Sequence, residues 1–246
     1  MIIMFNNLIS KSKRPVFFTG AGISTNSGIP DFRGPKGIWK TSQPIYFQDF
    51  ITSKEKRIES WERKFSNELN INKAKPNRGH QKIAEIMKIK DLSHLITQNV
   101  DNLHQESGID DEQITELHGN ATYAKCLDCQ IRYELNQLKE SFLKTKEPPL
   151  CIECNGIIKT ATISFGQAMP EEEMVIAQKK SINCDLFLCI GTSLAVFPAA
   201  DLPVLAKETG SKLVIINNEA TQMDHLADLV INRDISEVLS EINLEN

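Results

Sequence analysis

Five runs along the chain are short and almost continuously apolar: residues 16–19, 94–97, 185–190, 213–217 and 229–231. Runs of that length without alternation predict strands buried on both faces, and such strands belong to parallel sheets. Between them, apolar residues recur at helical spacing over residues 80–88, 171–180, 199–209 and 235–242, with Gly210 placed to cap the third helix before the next strand. The alternation predicts an α/β fold, a doubly wound parallel sheet with helices on both faces. Two stretches depart from it. Residues 36–75 scatter Trp39, Tyr46, Phe47, Phe50, Trp61 and Phe65 among many charges, which predicts an irregular loop and one or two small helices forming a mobile cover over a cleft. Residues 126–154 open on CLDC and close on CIEC.

The first strand runs into GAGISTNSGIPDFRG at residues 20–34. A β-branched and aromatic run that ends in glycines, then Ser24 and Thr25, is how a strand hands over to a loop and helix at a phosphate site. Gly20 and Gly22 permit positive φ and leave no Cβ in the way, so main-chain N–H groups can point at a pyrophosphate. The spacing lacks the third glycine of the dinucleotide fingerprint, since position 25 is Thr, and a plain glycine-rich turn stays open as a reading. Asp31, Phe32 and Arg33 then set a carboxylate, a ring and a guanidinium side by side, in a segment too rich in Gly and Pro for regular structure.

With 246 residues, 41% of them hydrophobic, the chain can bury a full core with a smaller unit inserted. A net charge of −4 gives no general electrostatic footprint for nucleic acid or an anionic membrane, so no direct nucleic-acid binding is expected. No stretch of about 18 apolar residues occurs, and the N-terminus has a short apolar start before its basic residues, the reverse of a signal peptide. The expectation is a soluble, cytoplasmic protein without a membrane partner. Of six cysteines, Cys184 and Cys189 sit in an apolar strand-like run. Cys126, Cys129, Cys151 and Cys154 form two CxxC pairs 21 residues apart, a spacing that closes a tetrahedral zinc site. Four protein ligands leave no place for substrate, so the zinc is structural; two disulfides are the alternative, disfavoured in a reducing compartment.

Polar residues collect where strands end, the edge at which open α/β sheets bind ligands. Gln98, Asn99 and Asp101 follow one strand, Gly191, Thr192 and Ser193 another, and Asn217, Asn218 and Glu219 a third. His118 follows a short apolar segment at 114–117; His104 is its nearest rival as a catalytic base.

Taken together, GAGISTNSGIPDFRG, TQNVDNLH at Thr97, HG at His118, the four cysteines, SFGQ at Ser164, GTSLAVFPAA at Gly191 and INNEATQMD at Ile216 resemble the sirtuins, NAD-dependent protein-lysine deacylases. The resemblance covers nearly the whole chain. It implies a Rossmann-like NAD-binding domain from residues 1–35, 76–120 and 161–246, a cofactor loop and helical insertion at 36–75, and a zinc-binding module at 121–160. It implies that the acyl group of an acetylated lysine in a protein or peptide passes to ADP-ribose with release of nicotinamide. Gly20, Ala21, Gly22, Asp31, Phe32 and Arg33 would border NAD and its nicotinamide, with Gln98, Asn99 and Asp101 on the nicotinamide ribose and carboxamide. His118 would be the general base, and Asn99 is grouped with it as catalytic. Gly191, Thr192, Ser193, Asn217, Asn218, Glu219 and Ile235 would hold the adenosine half, and Ile163, Ser164, Phe165 and Gly166 the peptide.

Three departures from the family pattern stand out. Lys159 and Thr160 replace an Arg-Pro pair, Gln167 replaces a glutamate, and no Tyr-x-x-Arg pair for acidic acyl groups occurs in residues 55–75. Arg63 and Lys64 are expected on a solvated helix face beside Glu59 and Glu62, which favours neutral acyl chains. An NAD glycohydrolase or mono-ADP-ribosyltransferase on the same site, or a non-catalytic NAD-binding module, are the alternative functions.

Overall fold

The computed structural model describes residues 1–34, 37–66 and 71–243. Within the expected cover at 36–75, residues 36 and 67–70 lie outside the described residues. The chain begins with α1 (Ile2–Lys11), β1 (Pro15–Thr19), α2 (Phe47–Thr52), α3 (Lys54–Phe65), α4 (Arg78–Ile89) and β2 (His94–Thr97). It continues through α5 (Leu103–Glu106), β3 (Ile114–Glu116), β4 (Gly119–Cys126), β5 (Arg132–Glu134), α6 (Leu135–Thr145) and β6 (Ile158–Thr162). It ends with α7 (Glu171–Asn183), β7 (Leu186–Ile190), α8 (Asp201–Glu208), β8 (Lys212–Ile216), β9 (Leu229–Ile231) and α9 (Ile235–Ser240).

Six strands form one parallel sheet in the order β3-β2-β1-β7-β8-β9. With the strands of the second sheet set aside, this is the Rossmann order, whose reversal point lies between β1 and β7. The strands read as continuous apolar runs because both faces are covered. Phe17, Leu188 and Val214 pack one face with Phe5 and Ile9 of α1, Ile83 and Ile86 of α4, and Val238 and Leu239 of α9. Phe18, Cys189 and Ile215 pack the other with Ala177 of α7 and Leu202 and Ala206 of α8. Cys189 is therefore core, as expected, and Cys184 belongs to the same layer.

Two local expectations change. The apolar N-terminal start folds into α1, which buries Phe5 and Ile9 four residues apart on one face. After β1 the chain makes not an α-helix but a 3₁₀ segment, Ala21–Ser27, closed by Gly28. Gly210 follows α8 one residue beyond its cap, with its N–H on the Lys207 carbonyl and the Ser211 N–H on that of Ala206.

The inserted unit is a three-stranded antiparallel sheet, β5-β4-β6, with α6 against it. Its small core holds Ala124, Tyr133, Leu138, Phe142 and Ile158, and Trp61 of α3 completes it from outside. Full burial of a large apolar side chain contributes about 2–3 kcal/mol. Trp61, 1% exposed, thereby ties the helical insertion to the cysteine-bearing unit.

Candidate active site

A cleft of about 590 Å³ opens at the C-terminal ends of β1, β2, β7 and β8 and extends to β6. The loops after β1 and β7 interlock at its floor. A Cβ on Gly20 would lie 2.8 Å from the Gly191 carbonyl oxygen, one on Gly22 2.8 Å from the Gly191 Cα, and one on Gly191, at φ +65, 2.4 Å from the Ile23 nitrogen. The glycines are thus required by the approach of two backbones. The reason differs from the expected one: Gly20 is extended at φ −129. Its N–H donates to the Ile190 carbonyl (3.0 Å) and that of Gly22 to the Gly191 carbonyl (2.8 Å), so neither points at a phosphate. Ala21, Thr192, Ser193, Asn217, Asn218, Glu219 and Ile235 line the same floor, and Thr25, which stands where the dinucleotide fingerprint has its third glycine, joins them.

His118 sits between β3 and β4, on the cleft wall. Gly119 behind it has φ +72, and a Cβ there would fall 2.0 Å from the Ala161 carbonyl oxygen, so only glycine lets β4 leave the histidine at this angle. The His118 Nδ1 lies 3.0 Å from the Gln98 carbonyl oxygen. A carbonyl only accepts, so Nδ1 carries the proton and Nε2 keeps a free lone pair. Burial pulls this imidazole below its ordinary value, opposed by the Gln98 carbonyl and helped by the Arg33 charge, so it is neutral at pH 7. His104, the rival, is 1% exposed, bonds Thr19 Oγ1 at 2.9 Å and lies outside the cleft wall.

The side chains after β2 divide. Gln98 lines the cleft and donates to Thr192 Oγ1 (2.9 Å), bridging two strand ends. Asn99 also lines it, with Nδ2 donating to Ser24 Oγ (3.3 Å), which leaves its amide oxygen for other partners. Asp101 lies behind them, off the cleft wall. It accepts from Ser24 Oγ (2.6 Å) and the Leu103 N–H (3.0 Å), and burial pushes its carboxyl up.

Asp31, Phe32 and Arg33 face Ile163, Ser164, Phe165 and Gly166 across the opening. The Ile163 N–H donates to the His118 carbonyl (2.8 Å), so the segment after β6 is anchored to the histidine itself. Gln167 accepts the Ser164 N–H on Oε1 (3.1 Å), which an amide oxygen does as a carboxylate would. Lys159 is buried, donates to the Thr160 and Thr162 carbonyls, and is pushed down to about 8 by that burial.

One expectation is overturned. Arg63 and Lys64 both line the cleft. Arg63 remains half on the solvated face, paired with Glu59, but Lys64 turns inward, donates to the Ala121 carbonyl (2.6 Å), and burial pushes it down to about 8. The periodicity of α3 is set by Trp61, and three residues on, Lys64 shares that inward face. Trp39 and residues 196–198 also line the cleft and were missed as site residues.

The four cysteines of the inserted unit converge, with all four Sγ atoms within 4.8 Å of one another. Cys126 and Cys154 are 3.5 Å apart, as are Cys129 and Cys151. Sulfurs about 2.3 Å from a tetrahedral zinc lie about 3.8 Å apart, so the set fits that ion. The Tyr133 hydroxyl donates to Cys151 Sγ (3.1 Å) and holds its thiol down at about 6. The Gly156 N–H favours the Cys154 thiolate, but the facing Cys126 and Cys129 sulfurs win and push it up to about 12, a conflict a dication relieves.

The sequence profile described as the Sir2 family matches residues 20–198. The chain belongs to the Sir2 family. It is 50% identical over 233 residues to an NAD-dependent protein deacetylase of Rhodopseudomonas palustris, covering 95% of this chain and 92% of that one. A Thermotoga maritima NAD-dependent protein deacetylase is 37% identical over 236 residues, 95% of this sirtuin and 93% of its relative. The fold is similar to a Sir2 structure with a p53 peptide and NAD⁺, at TM-score 0.85 and 34% identity over 98% of this chain and 97% of that one. A Sir2 bound to acetylated peptide superposes at TM-score 0.87 and 34% identity, with the same coverage. Among the described residues no helix is long and apolar enough to cross a membrane.

Proposed function

We propose that this sirtuin is an NAD-dependent protein-lysine deacetylase, with proteins or peptides carrying acetyl-lysine as its substrates. The observation that carries the reading is His118, whose Nδ1 proton is committed to the Gln98 carbonyl and whose other edge stands in a cleft shared by strand-end loops and the residues after β6. NAD supplies the electrophile, a ribosyl carbon activated as nicotinamide leaves. The cleft suits it: Ala21, Thr192 and Ser193 line its floor beside the interlocked glycines, and Asn217, Asn218, Glu219 and Ile235 suit an adenosine end.

Each side chain then has work. Neutral His118 takes a proton through the ribose hydroxyls at Nε2. Asn99, steadied by Ser24, orients the nicotinamide ribose and carboxamide together with Gln98, and Asp101 supports them through Ser24. Phe32, with Asp31 and Arg33, keeps water from the reacting carbon. β6 is an edge strand of its sheet, and the segment Ile163 to Gly166 that continues it offers backbone groups to an extended peptide. Cys126, Cys129, Cys151 and Cys154 hold one structural zinc.

On this reading residues 1–35, 76–120 and 161–246 carry the cofactor, 36–75 the cofactor loop and helical insertion, and 121–160 the zinc module. A reducing, cytoplasmic location is part of the proposal, supported by four cysteines that converge as metal ligands and two that pack in the core. The test is nicotinamide release from NAD with and without an acetyl-lysine peptide. Release that requires the peptide and matches its deacetylation is expected. NAD cleavage at the same rate without peptide identifies a glycohydrolase or ADP-ribosyltransferase instead.

A further inference from the structure

Phe32 and Phe165 belong to separate segments, and the Trp39 indole lies between them. Its ring centroid is 5.2 Å from that of Phe32 and 5.2 Å from that of Phe165, tilted by 44° and 58°. The Arg33 guanidinium covers the indole at 4.2 Å, and Tyr46 extends the row 5.9 Å from Phe165. The backbone joins the same parts. The Trp39 N–H donates to the Phe32 carbonyl (3.2 Å), the Ile38 N–H to that of Asp31 (2.9 Å), and the Phe47 N–H to that of Phe165 (2.9 Å). Trp39 comes this near Phe32 because position 37 is glycine, where a Cβ would sit 2.5 Å from the Phe32 carbonyl oxygen.

We propose that Trp39 is a positioning residue that transmits the seating of the peptide on residues 163–166 to Phe32, so that Phe32 shields the ribosyl carbon when acyl-lysine is in place. The inference rests on the function proposed above. Tilted aromatic pairs favour particular geometries, so a ring packed on two others makes the position of each depend on the other. A peptide strand laid on 163–166 fixes Phe165, Phe165 fixes the indole, and the indole fixes Phe32. The reaction at stake is balanced in both directions. When it is unshielded, the bond from C1′ to nicotinamide breaks, a water oxygen bonds to C1′ and a proton is released. When it is shielded, the acyl oxygen takes the place of water.

The experiment compares nicotinamide released with acetyl groups removed from one acetyl-lysine peptide, in the wild type, Trp39→Phe and Trp39→Ala. Parity is expected in the wild type and in Trp39→Phe, which keeps a ring. Trp39→Ala is expected to release about two- to tenfold more nicotinamide than it removes acetyl groups, the shift one aromatic pair supports, with a raised KM for peptide. Parity in a Trp39→Ala protein that still deacetylates overturns the proposal. A second arm leaves Trp39 itself intact: in Trp61→Phe, which keeps a ring in the small core and makes Trp39 the remaining tryptophan, peptide without NAD should shift the emission, and an unchanged spectrum at saturating peptide overturns the coupling. A wild type that cleaves NAD equally with and without peptide overturns the proposed function instead.

Discussion

Acidification from pH 7 to 4.5 should destabilise this protein by an amount set largely by two buried histidines. His80, on α4, and His94, on β2, are 0% and 2% exposed, and burial pushes each down to about 4. His94 is held down further by the Lys180 charge. In the unfolded chain both titrate near 6.5. Between those values the unfolded state binds more protons than the folded one, so stability is fully present above about 6.5 and is lost as the pH falls towards 4. At pH 4.5 the loss comes to about 2.5 kcal/mol for each residue, or about 5 kcal/mol for the pair, against a typical total of about 5–15. Fully buried His104, lowered further still, adds in the same direction, whereas the raised carboxyls of Asp101 and Glu116 act oppositely. Urea unfolding at pH 7, 5.5 and 4.5 measures the sum. His94→Gln retains a polar group for Thr115 Oγ1, which His94 Nε2 meets at 2.8 Å, and should remove about half of the pH dependence assigned to the pair. An unfolding free energy that is flat from pH 6.5 to 4.5, or an unaltered slope in the variant, refutes the reasoning.

His118→Ala should lower turnover by about 10²–10⁴ while leaving NAD affinity within a few-fold, because the base acts after the cofactor binds; wild-type turnover would move the base elsewhere. Because His118 is lowered from 6.5 by burial and must be neutral to act, kcat should be flat near pH 7 and fall on the acid side, below 6.5, where the imidazole protonates. Metal analysis should find one zinc per chain, chelation should disorder the small sheet and abolish activity indirectly, and Cys184→Ala should leave the zinc content unchanged. Lys64→Met should lower the ratio of succinyl- to acetyl-lysine efficiency about tenfold, as expected from losing one charge-assisted bond of about 1.5 kcal/mol; an unaltered ratio would show that the ammonium does not meet the acyl end.

Much of the site was legible because strand ends can be read locally. Gln98, Asn99, Gly191, Thr192, Ser193, Asn217 and His118 each follow an apolar run, and all come to one cleft. What misled was direction. Arg63 and Lys64 stand beside glutamates on a charged helix, and nothing near them in sequence says that Trp61 docks on the inserted sheet and turns Lys64 towards Ala121. Trp39 was legible only as one aromatic of the cover, because its neighbours, Phe32 and Phe165, are brought together only by folding.

The sequence by itself determined five of the six strands of the parallel sheet (β1, β2, β7, β8 and β9) and the helices α4, α7, α8 and α9, that four cysteines at CxxC spacing take one metal, and that polar residues gather at strand ends. These follow from periodicity and side-chain chemistry, which act over a few residues. The tertiary structure decided the rest: that β7 lies beside β1, that Gly20 and Gly22 exist to admit Gly191, that Asp101 turns to Ser24, and that the Gln98 carbonyl fixes the His118 proton on Nδ1. Each of these depends on a contact between residues far apart in the chain, where a close approach or a hydrogen-bond acceptor appears only once the sheet has assembled.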